Sequence, residues 1–409
     1  MTTEPQVIVV GAGAAGIGAA RRLREIGVPF NLLEARNRLG GRACSDTSFP
    51  AAFDLGCSWL WGQETNPLVG EARALGFELE PDDGATQVYF GDRPADDRER
   101  ESYHQARSSV FAAIEDVASD TAVADVAHLP GPYARLLENS LGPWMMGEEI
   151  ARVSTGEWEG LETRGTDYLV PAGLGTLVAR VGDDLSPVFD CPVQHIDWSG
   201  TGVVAETSRG QIRAAAAIVT VPVGVLASGG LRLTPDLPDR QQEALAALPM
   251  GVLNKVALAF ERDIFGLPAN SHVAQAAATT QTPYWIVRLH GQPMAMGLIG
   301  GEAARALERE GEAAAVAYAL GTLKDLFGSQ VEEAFQRGRA TAWGKDPFAL
   351  GAYSVARPGG YRWRGVLGEV FDHRLFLAGE AAAPAGDAAL VGGAFSSGVK
   401  AAEAVLESL

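Results

Sequence analysis

The sequence predicts an α/β protein in which a parallel-sheet, nucleotide-binding unit is interleaved with a second, mixed α/β unit. Three observations carry that reading. Strand, glycine turn, helix and second strand succeed one another up to Leu33. A strand, a glycine loop and a helix return from Val366 onward. Between the two ends lie several strand-like apolar runs, with no internal repeat and no low-complexity linker.

Val7 to Val10 is an unbroken apolar run ending in glycine, as expected of a strand buried on both faces. Ala14 to Ile26 reads as a helix stopped by Gly27, and Phe30 to Leu33 as the next strand. Glu71 to Glu162 is richer in charge and helical periodicity, with proline breaks at Pro130, Pro132 and Pro143. Val193 to Trp198, Gly202 to Thr207 and Ile218 to Val221 read as strands, as do Gly251 to Phe260 and Tyr284 to Ile299. A helix is expected from about Ala303 to Leu326. The expected division is a discontinuous nucleotide-binding domain of residues 1–80, 166–248 and 366–409, with 81–165 and 249–365 forming a substrate-binding domain.

Composition narrows the function. In 409 residues, 47% are hydrophobic and 21% charged, a globular balance with ample core material. A formal charge of −18 argues against a nucleic-acid partner, which needs a basic surface; it suits a solvated acidic surface first, and steering of a cationic amine second. Cys44, Cys57 and Cys191 show neither disulfide nor zinc spacing, and a reducing, cytoplasmic setting is expected. No signal peptide or membrane span is expected. The six histidines form no ligand spacing, and no nucleophile elbow supports hydrolytic chemistry, so no metal is expected.

Gly11-Ala12-Gly13-Ala14-Ala15-Gly16 is a G-x-G-x-x-G between strand and helix. Gly11 permits the tight turn, Gly13 admits a pyrophosphate to the backbone, and Gly16 lets helix and strand pack closely. The helix N-terminus then presents free N–H groups to the phosphates. Glu34 ends the second strand, where an acid binds ribose hydroxyls. Ala35 and Arg36 follow it, then Gly40, Gly41 and Arg42, suited to a second approach to the pyrophosphate; Arg38 reads as a surface charge.

These stretches, with Phe53-Asp54-Leu55-Gly56-Cys57-Ser58-Trp59 through Asn66-Pro67-Leu68, resemble the flavin-containing amine oxidase family of monoamine oxidases, polyamine oxidases and flavin histone demethylases. Two further runs match it: Trp343-Gly344-Lys345-Asp346-Pro347 through Gly351-Ala352-Tyr353-Ser354, and Leu375 to Gly379-Glu380 with Val391-Gly392-Gly393-Ala394. The resemblance covers essentially the whole chain. It implies a Rossmann-type FAD-binding domain interleaved with a mixed α/β substrate-binding domain. It also implies that Gly56, Ser58 and Trp59 lie along the flavin and that Val193 meets the adenine through its backbone. Gly379 and Glu380 would bind near the pyrophosphate and ribityl chain, with Leu390, Val391 and Ala394 bordering the isoalloxazine. A helix starting at Gly392-Gly393 would also aim its dipole at the flavin's N1/C2=O edge.

Lys255 lies in an apolar strand pattern with Ala257 and Ala259 on its face. A lysine there must find a partner or water, or reach out of an edge strand. The resemblance implies that it holds a water against flavin N5. The same resemblance makes Tyr353 the aromatic wall orienting the substrate amine, with Trp343 lining that region. Leu390 stands where monoamine oxidases place their second ring, so a full aromatic cage is not implied. Ala352 stands where they carry the flavin-bonding cysteine, which implies non-covalent FAD. Trp61 replaces a histidine common in polyamine oxidases and weakens a polyamine assignment. Trp144, Tyr284 and Trp285 receive no role.

The implied reaction is hydride transfer from the carbon beside a neutral amine to flavin N5, imine hydrolysis, and reoxidation by O2 to H2O2. Two other readings stay open: an FAD-dependent desaturase or oxidase of a carbon skeleton, of the carotenoid desaturase or protoporphyrinogen oxidase type, and a non-catalytic flavin-binding scaffold. Lys255 and the Trp343 to Tyr353 run favour the amine. A chromatin role is not expected, from the charge and from the room available for extra domains. Oligomeric state stays open, a homodimer being one option.

Overall fold

The computed structural model describes residues 6–62, 66–129, 131–159, 166–276 and 282–409. Pro130 and the end of the proline-punctuated segment, 160–162, lie outside the described residues.

A four-stranded parallel sheet runs in the order Phe30–Leu33, Val7–Val10, Ala216–Val219, Leu375–Leu377. Its strands come from the start, middle and end of the chain, so the sheet exists only once distant segments meet. Alternation along Val7–Val10 sorts the two faces. Val7 and Val9 pack with Ile17, Leu23, Leu177 and Ala402 beneath the helices. Ile8 and Val10 pack with Ile196, Val203 and Ala205 of the sheet Gly210–Ala214, Val203–Thr207, Val193–Asp197, Arg232–Thr234. Because both faces are covered, the strands read as continuous apolar runs. The helices Ala14–Glu25 and Val391–Ser408 touch almost backbone to backbone: a Cβ on Gly398 would lie 1.9 Å from the Ala15 carbonyl oxygen.

The second unit is a seven-stranded sheet, ordered Phe335–Ala340, Leu253–Phe260, Met294–Gly300, Tyr284–Val287, Ser271–Gln275, Thr86–Phe90, Arg93–Pro94. One face, with Val256, Leu258, Val273 and Ile299, packs on Ala304, Ala315, Ala319 and Leu323 of two helices. The other carries Ala257, Ala259, Ile286, Met294, Met296 and Leu298 against Phe49 and Phe53.

Several sequence expectations are corrected here. The helix expected over Ala303 to Leu326 is two, Gly301–Glu310 and Glu312–Phe327, divided at Gly311 with φ +101°. Gly251 to Phe260 divides into Met250–Gly251, which pairs with Tyr353–Ser354, and Leu253–Phe260. Tyr284 to Ile299 is a pair of antiparallel strands around Leu289–Gly291. The charged middle also holds the strands Glu80–Asp82 and Thr86–Phe90, whose short polar runs carry little alternation.

Candidate active site

Two glycine loops meet at the top of the parallel sheet. Gly11 has φ +100°, and a Cβ on Gly16 would fall 1.8 Å from the Gly11 carbonyl oxygen. The helix after Gly13 has no side-chain cap, so Ala14, Ala15 and Gly16 open it with backbone N–H groups alone. Gly13 bridges to Gly40, and a Cβ on Gly41 would stand 3.2 Å from the Gly13 Cα. Buried Glu34 ties the loops together, accepting from Ala12 N–H at 2.7 Å and Arg36 N–H at 2.8 Å. The Arg36 guanidinium pairs with Asp346 at 2.5 Å and lies over the Phe348 ring. Ala35 beside it is half-buried.

Arg42 extends from the second loop toward the C-terminal segments. Its Nη1 donates to Glu380 Oε1 and to the Ala352 carbonyl, both at 2.9 Å. Glu380 also accepts from Ser354 N–H at 3.1 Å and Ser354 Oγ at 2.6 Å. Arg364 donates to Ser354 Oγ at 2.6 Å and pairs with Glu157. Burial pushes the Glu380 carboxyl up, but Arg42, Ser354 and Arg364 outweigh it and hold the group below its ordinary value. It is a carboxylate in the interior, with Gly379 open beside it: no atom lies within 4 Å of where its Cβ would be.

Lys255 sits on an interior strand, flanked by Phe335–Ala340 and Met294–Gly300, and only 4% of it is exposed. It does not reach out from an edge. Its Nζ donates to the Asp54 carbonyl at 3.2 Å and to Ser58 Oγ, and lies 5.5 Å from the centre of the Trp59 ring. Burial lowers the ammonium to about 8, opposed by the charge of Asp54. The Cys57 thiol is pushed up to about 12, by burial first and by Asp54 second, so it stays protonated.

The segment Asp54 to Trp59 is the hub. Asp54 and Ser58 hold Lys255, the Leu55 carbonyl accepts from Trp343 Nε1 at 2.9 Å, and a Cβ on Gly56 would lie 1.6 Å from the Arg42 carbonyl oxygen. Trp343 is thereby buried and anchored, its backbone N–H donating to Asn254 Oδ1 at 2.9 Å. Tyr353 follows Ala352, and its hydroxyl donates to the Met145 carbonyl at 2.7 Å, with burial raising its value. Leu390 caps the Val391–Ser408 helix by backbone alone, and Gly392, Gly393 and Ala394 of its first turn are buried. Val193, on the covering sheet, packs with Val10 and Leu33 in one core and starts the strand at a register shift.

Lys255, Ser58, Trp59, Gly56, Arg42, Trp343, Tyr353 and Glu380 are therefore joined through direct contacts or a shared neighbour, although their positions span most of the chain. Sequence reasoning missed Asp54, Ser354, Arg364 and Asn254. The first two sit inside quoted motifs, where an acid and a hydroxyl signal polar partners for the interior. Arg364 and Asn254 carry no local signal, since only their distant partners show why they are there.

The residues fit a dinucleotide. Two glycine loops leave a backbone-lined cradle that a Cβ on Gly41 would crowd, an uncapped helix of twelve residues opens onto it, and buried Glu34 ends the second strand beside it. Among the described residues no group of His, Cys, Asp and Glu has the arrangement of a metal site, and no helix is long and apolar enough to cross a membrane.

Fold and site thus define a protein with a Rossmann-type dinucleotide cradle beside a lysine-bearing apolar sheet face. The sequence model of the flavin containing amine oxidoreductases matches residues 153–406, and that of the NAD(P)-binding Rossmann-like domain matches 9–71. The chain belongs to the flavin containing amine oxidoreductase family. The family's description names a flavin and an amine oxidoreductase activity. Lysine-specific histone demethylase 1 homolog 3 of Oryza sativa subsp. japonica is 30% identical over 98% of this chain and 54% of its own. Polyamine oxidase 5 of the same subspecies is 29% identical over 98% of this chain and 87% of its own. The chain spans about half the length of the demethylase relatives. An engineered double mutant of putrescine oxidase has the same fold, with a TM-score of 0.81 at 20% identity over 99% of both chains. Wild-type putrescine oxidase bound to putrescine gives 0.76 at 19%, again over 99% of both.

Proposed function

We propose that this chain oxidises a small-molecule amine at the carbon next to nitrogen. One observation carries the proposal: a buried ammonium, Lys255, is held by a backbone carbonyl and a hydroxyl on a face otherwise built of Ala257, Ala259, Met294, Met296 and Leu298. Such a floor favours a neutral amine over its ammonium form, because an uncompensated charge is costly there.

FAD, when bound, would supply the redox chemistry, taking a hydride from the amine's carbon and returning the electrons to O2 with a proton as H2O2. The rest falls to the protein. Gly11, Gly13, Ala14, Ala15 and Gly16 offer backbone N–H groups to the pyrophosphate, with Gly40, Gly41 and Arg42 on its second side. Glu34 binds the ribose, flanked by Ala35 and Arg36, and the Val193 backbone meets the adenine. Gly379 and Glu380 stand by the ribityl chain. Gly56, Ser58, Trp59, Leu390, Val391 and Ala394 border the ring system. Lys255 would hold a water toward the flavin, and Tyr353 and Trp343 would wall the pocket that orients the amine. The cofactor is held without a covalent bond, since Ala352 offers no nucleophile. Residues 1–80, 166–248 and 366–409 act as the FAD-binding domain, and 81–165 with 249–365 as the substrate-binding domain.

Anaerobic mixing with an amine panel tests the reading. An amine is expected to bleach the oxidised flavin spectrum, and readmitted oxygen to restore it with peroxide release. Bleaching by a polyene or tetrapyrrole but by no amine sinks the proposal in favour of a desaturase; no bleaching by any compound sinks it in favour of a scaffold.

A further inference from the structure

A hydrogen-bonded chain runs from Trp59 to Asp82, His272, Tyr284 and Thr86, the last four of which the reading above leaves without a role. Trp59 Nε1–H donates to Asp82 at 2.5 Å. The Asp82 carboxylate, 6% exposed, also receives His272 Nε2 at 2.9 Å. His272 Nδ1 meets the Tyr284 hydroxyl at 2.7 Å, and that hydroxyl meets Thr86 Oγ1 at 2.7 Å.

The directions follow from chemistry. Asp82 only accepts when ionised, so Trp59 Nε1–H and His272 Nε2–H both donate to it, and the Tyr284 hydroxyl bridges His272 Nδ1 and Thr86 Oγ1. Burial pushes Asp82 up, but the bonds from His272, Trp59 and the Gly84 backbone outweigh it and hold the carboxyl below its ordinary value. One carboxylate and one imidazole therefore fasten the polar tips of two aromatic side chains from separate elements, the Trp59–Leu60 strand and the Tyr284–Val287 strand.

Those two rings are placed with respect to the lysine. Lys255 pairs across strands with Leu298, and Leu298 with Tyr284, so the three side chains stand in one row on one face of the sheet. With strands about 4.8 Å apart, Tyr284 is rooted two strands, roughly 10 Å, from Lys255. Trp59 lies at the other end of the row, beside the Lys255 ammonium. Both rings keep part of their surface accessible and pack on the apolar floor, whereas Asp82 and His272 behind them are closed off from water. The buried pair holds the polar tip of each ring and so decides its angle.

We propose that Asp82 and His272 are positioning residues forming a clamp that fixes Trp59 and Tyr284 at the two ends of the Lys255 row. The clamp sets the width available to the carbon skeleton of the amine. The inference rests on the amine oxidase reading for its substrate, but the clamp itself is measurable without turnover.

With tryptophan indoles labelled by 15N, the Trp59 Nε1–H resonance is identified by its loss in Trp59→Phe. In the FAD-loaded protein, Asp82→Ala and His272→Ala are each expected to shift that resonance upfield. A smaller shift is expected in Asp82→Asn, which keeps an acceptor and serves if the alanine variant fails to fold. A resonance that stays in place when Asp82 is changed overturns the clamp, whether or not an amine is oxidised. With an amine that bleaches the flavin, Asp82→Ala and Trp59→Phe should each raise KM by about tenfold, the weight of one hydrogen bond to a charged acceptor. The double variant should fall short of the product of the two, because both remove the Trp59–Asp82 bond. Multiplying effects, or a loss in kcat with KM unchanged, would contradict it. If no amine bleaches the flavin, the functional reading fails while the resonance result stands.

Discussion

Lys255 and Asp54 meet through the backbone of one and the side chain of the other: the ammonium donates to the Asp54 carbonyl at 3.2 Å. The Asp54 carboxylate turns away, accepting from the N–H groups of Leu174 and Gly175 at 3.0 and 3.1 Å and from Ser45 Oγ at 2.5 Å. Asp54 thus starts the Leu174–Val181 helix and sets the lysine with different atoms. Its carboxyl is raised by burial, against the pull of Lys255 and these bonds.

Lys255 should control a pH dependence. Its native value, about 8, lies below the ordinary 10.5, so the native state releases this proton first as pH rises. The burial penalty is complete below about 8 and is relieved between there and 10.5. The stability of Lys255→Met relative to wild type, from denaturant unfolding, should therefore decline over that interval. The variant is expected to keep FAD while flavin reduction or reoxidation slows by about a hundredfold or more. An unchanged stopped-flow rate removes Lys255 from the mechanism.

Glu380→Gln leaves Arg42 and Arg364 in the interior with less opposing charge. Loss of about 3 kcal/mol is expected at neutral pH, as for removal of one partner of a buried pair. Because the native carboxyl is held below 4.5, its contribution is present above that value and is lost as pH falls through the lower native one. Unfolding monitored from pH 7 to 3 should show an acid limb that is shallower in the variant.

Gly16→Ala places a methyl 1.8 Å from the Gly11 carbonyl oxygen, a distance that no rotamer relieves. The strand-to-helix turn must open, and the purified variant is expected to be colourless, with a ratio of flavin to protein absorbance below a tenth of wild type, or not to fold. Full FAD content would show that the turn tolerates the change.

Acid precipitation of the holo-protein is expected to release the yellow colour into the supernatant, because Ala352 supplies a backbone carbonyl to Arg42 and no thiol to the cofactor. Colour in the pellet would mean a covalent bond.

The glycine turn, its strand and helix, and the returning C-terminal motif were legible because each is local: spacing and apolar runs dictate them within about thirty residues. Lys255 was legible as an anomaly, a charge within an apolar strand. Its partners were not, for Asp54 and Ser58 lie about 200 positions away and nothing in their own neighbourhood points to it. The break at Gly311 was missed because helical periodicity continues across it; only the φ of +101° divides the helices.

By itself the sequence determined the dinucleotide turn, the family and the residue types available to the site, since these depend on backbone sterics and on spacing along the chain. The tertiary structure alone decided that Asp54 to Trp59 gathers Lys255, Trp343 and Arg42, that Ser354 stands between Glu380 and Arg364, and that Asp82 and His272 stand behind Trp59 and Tyr284. The physical reason is that a buried polar group must find a partner, and the chain position of that partner is immaterial once burial has brought the two together.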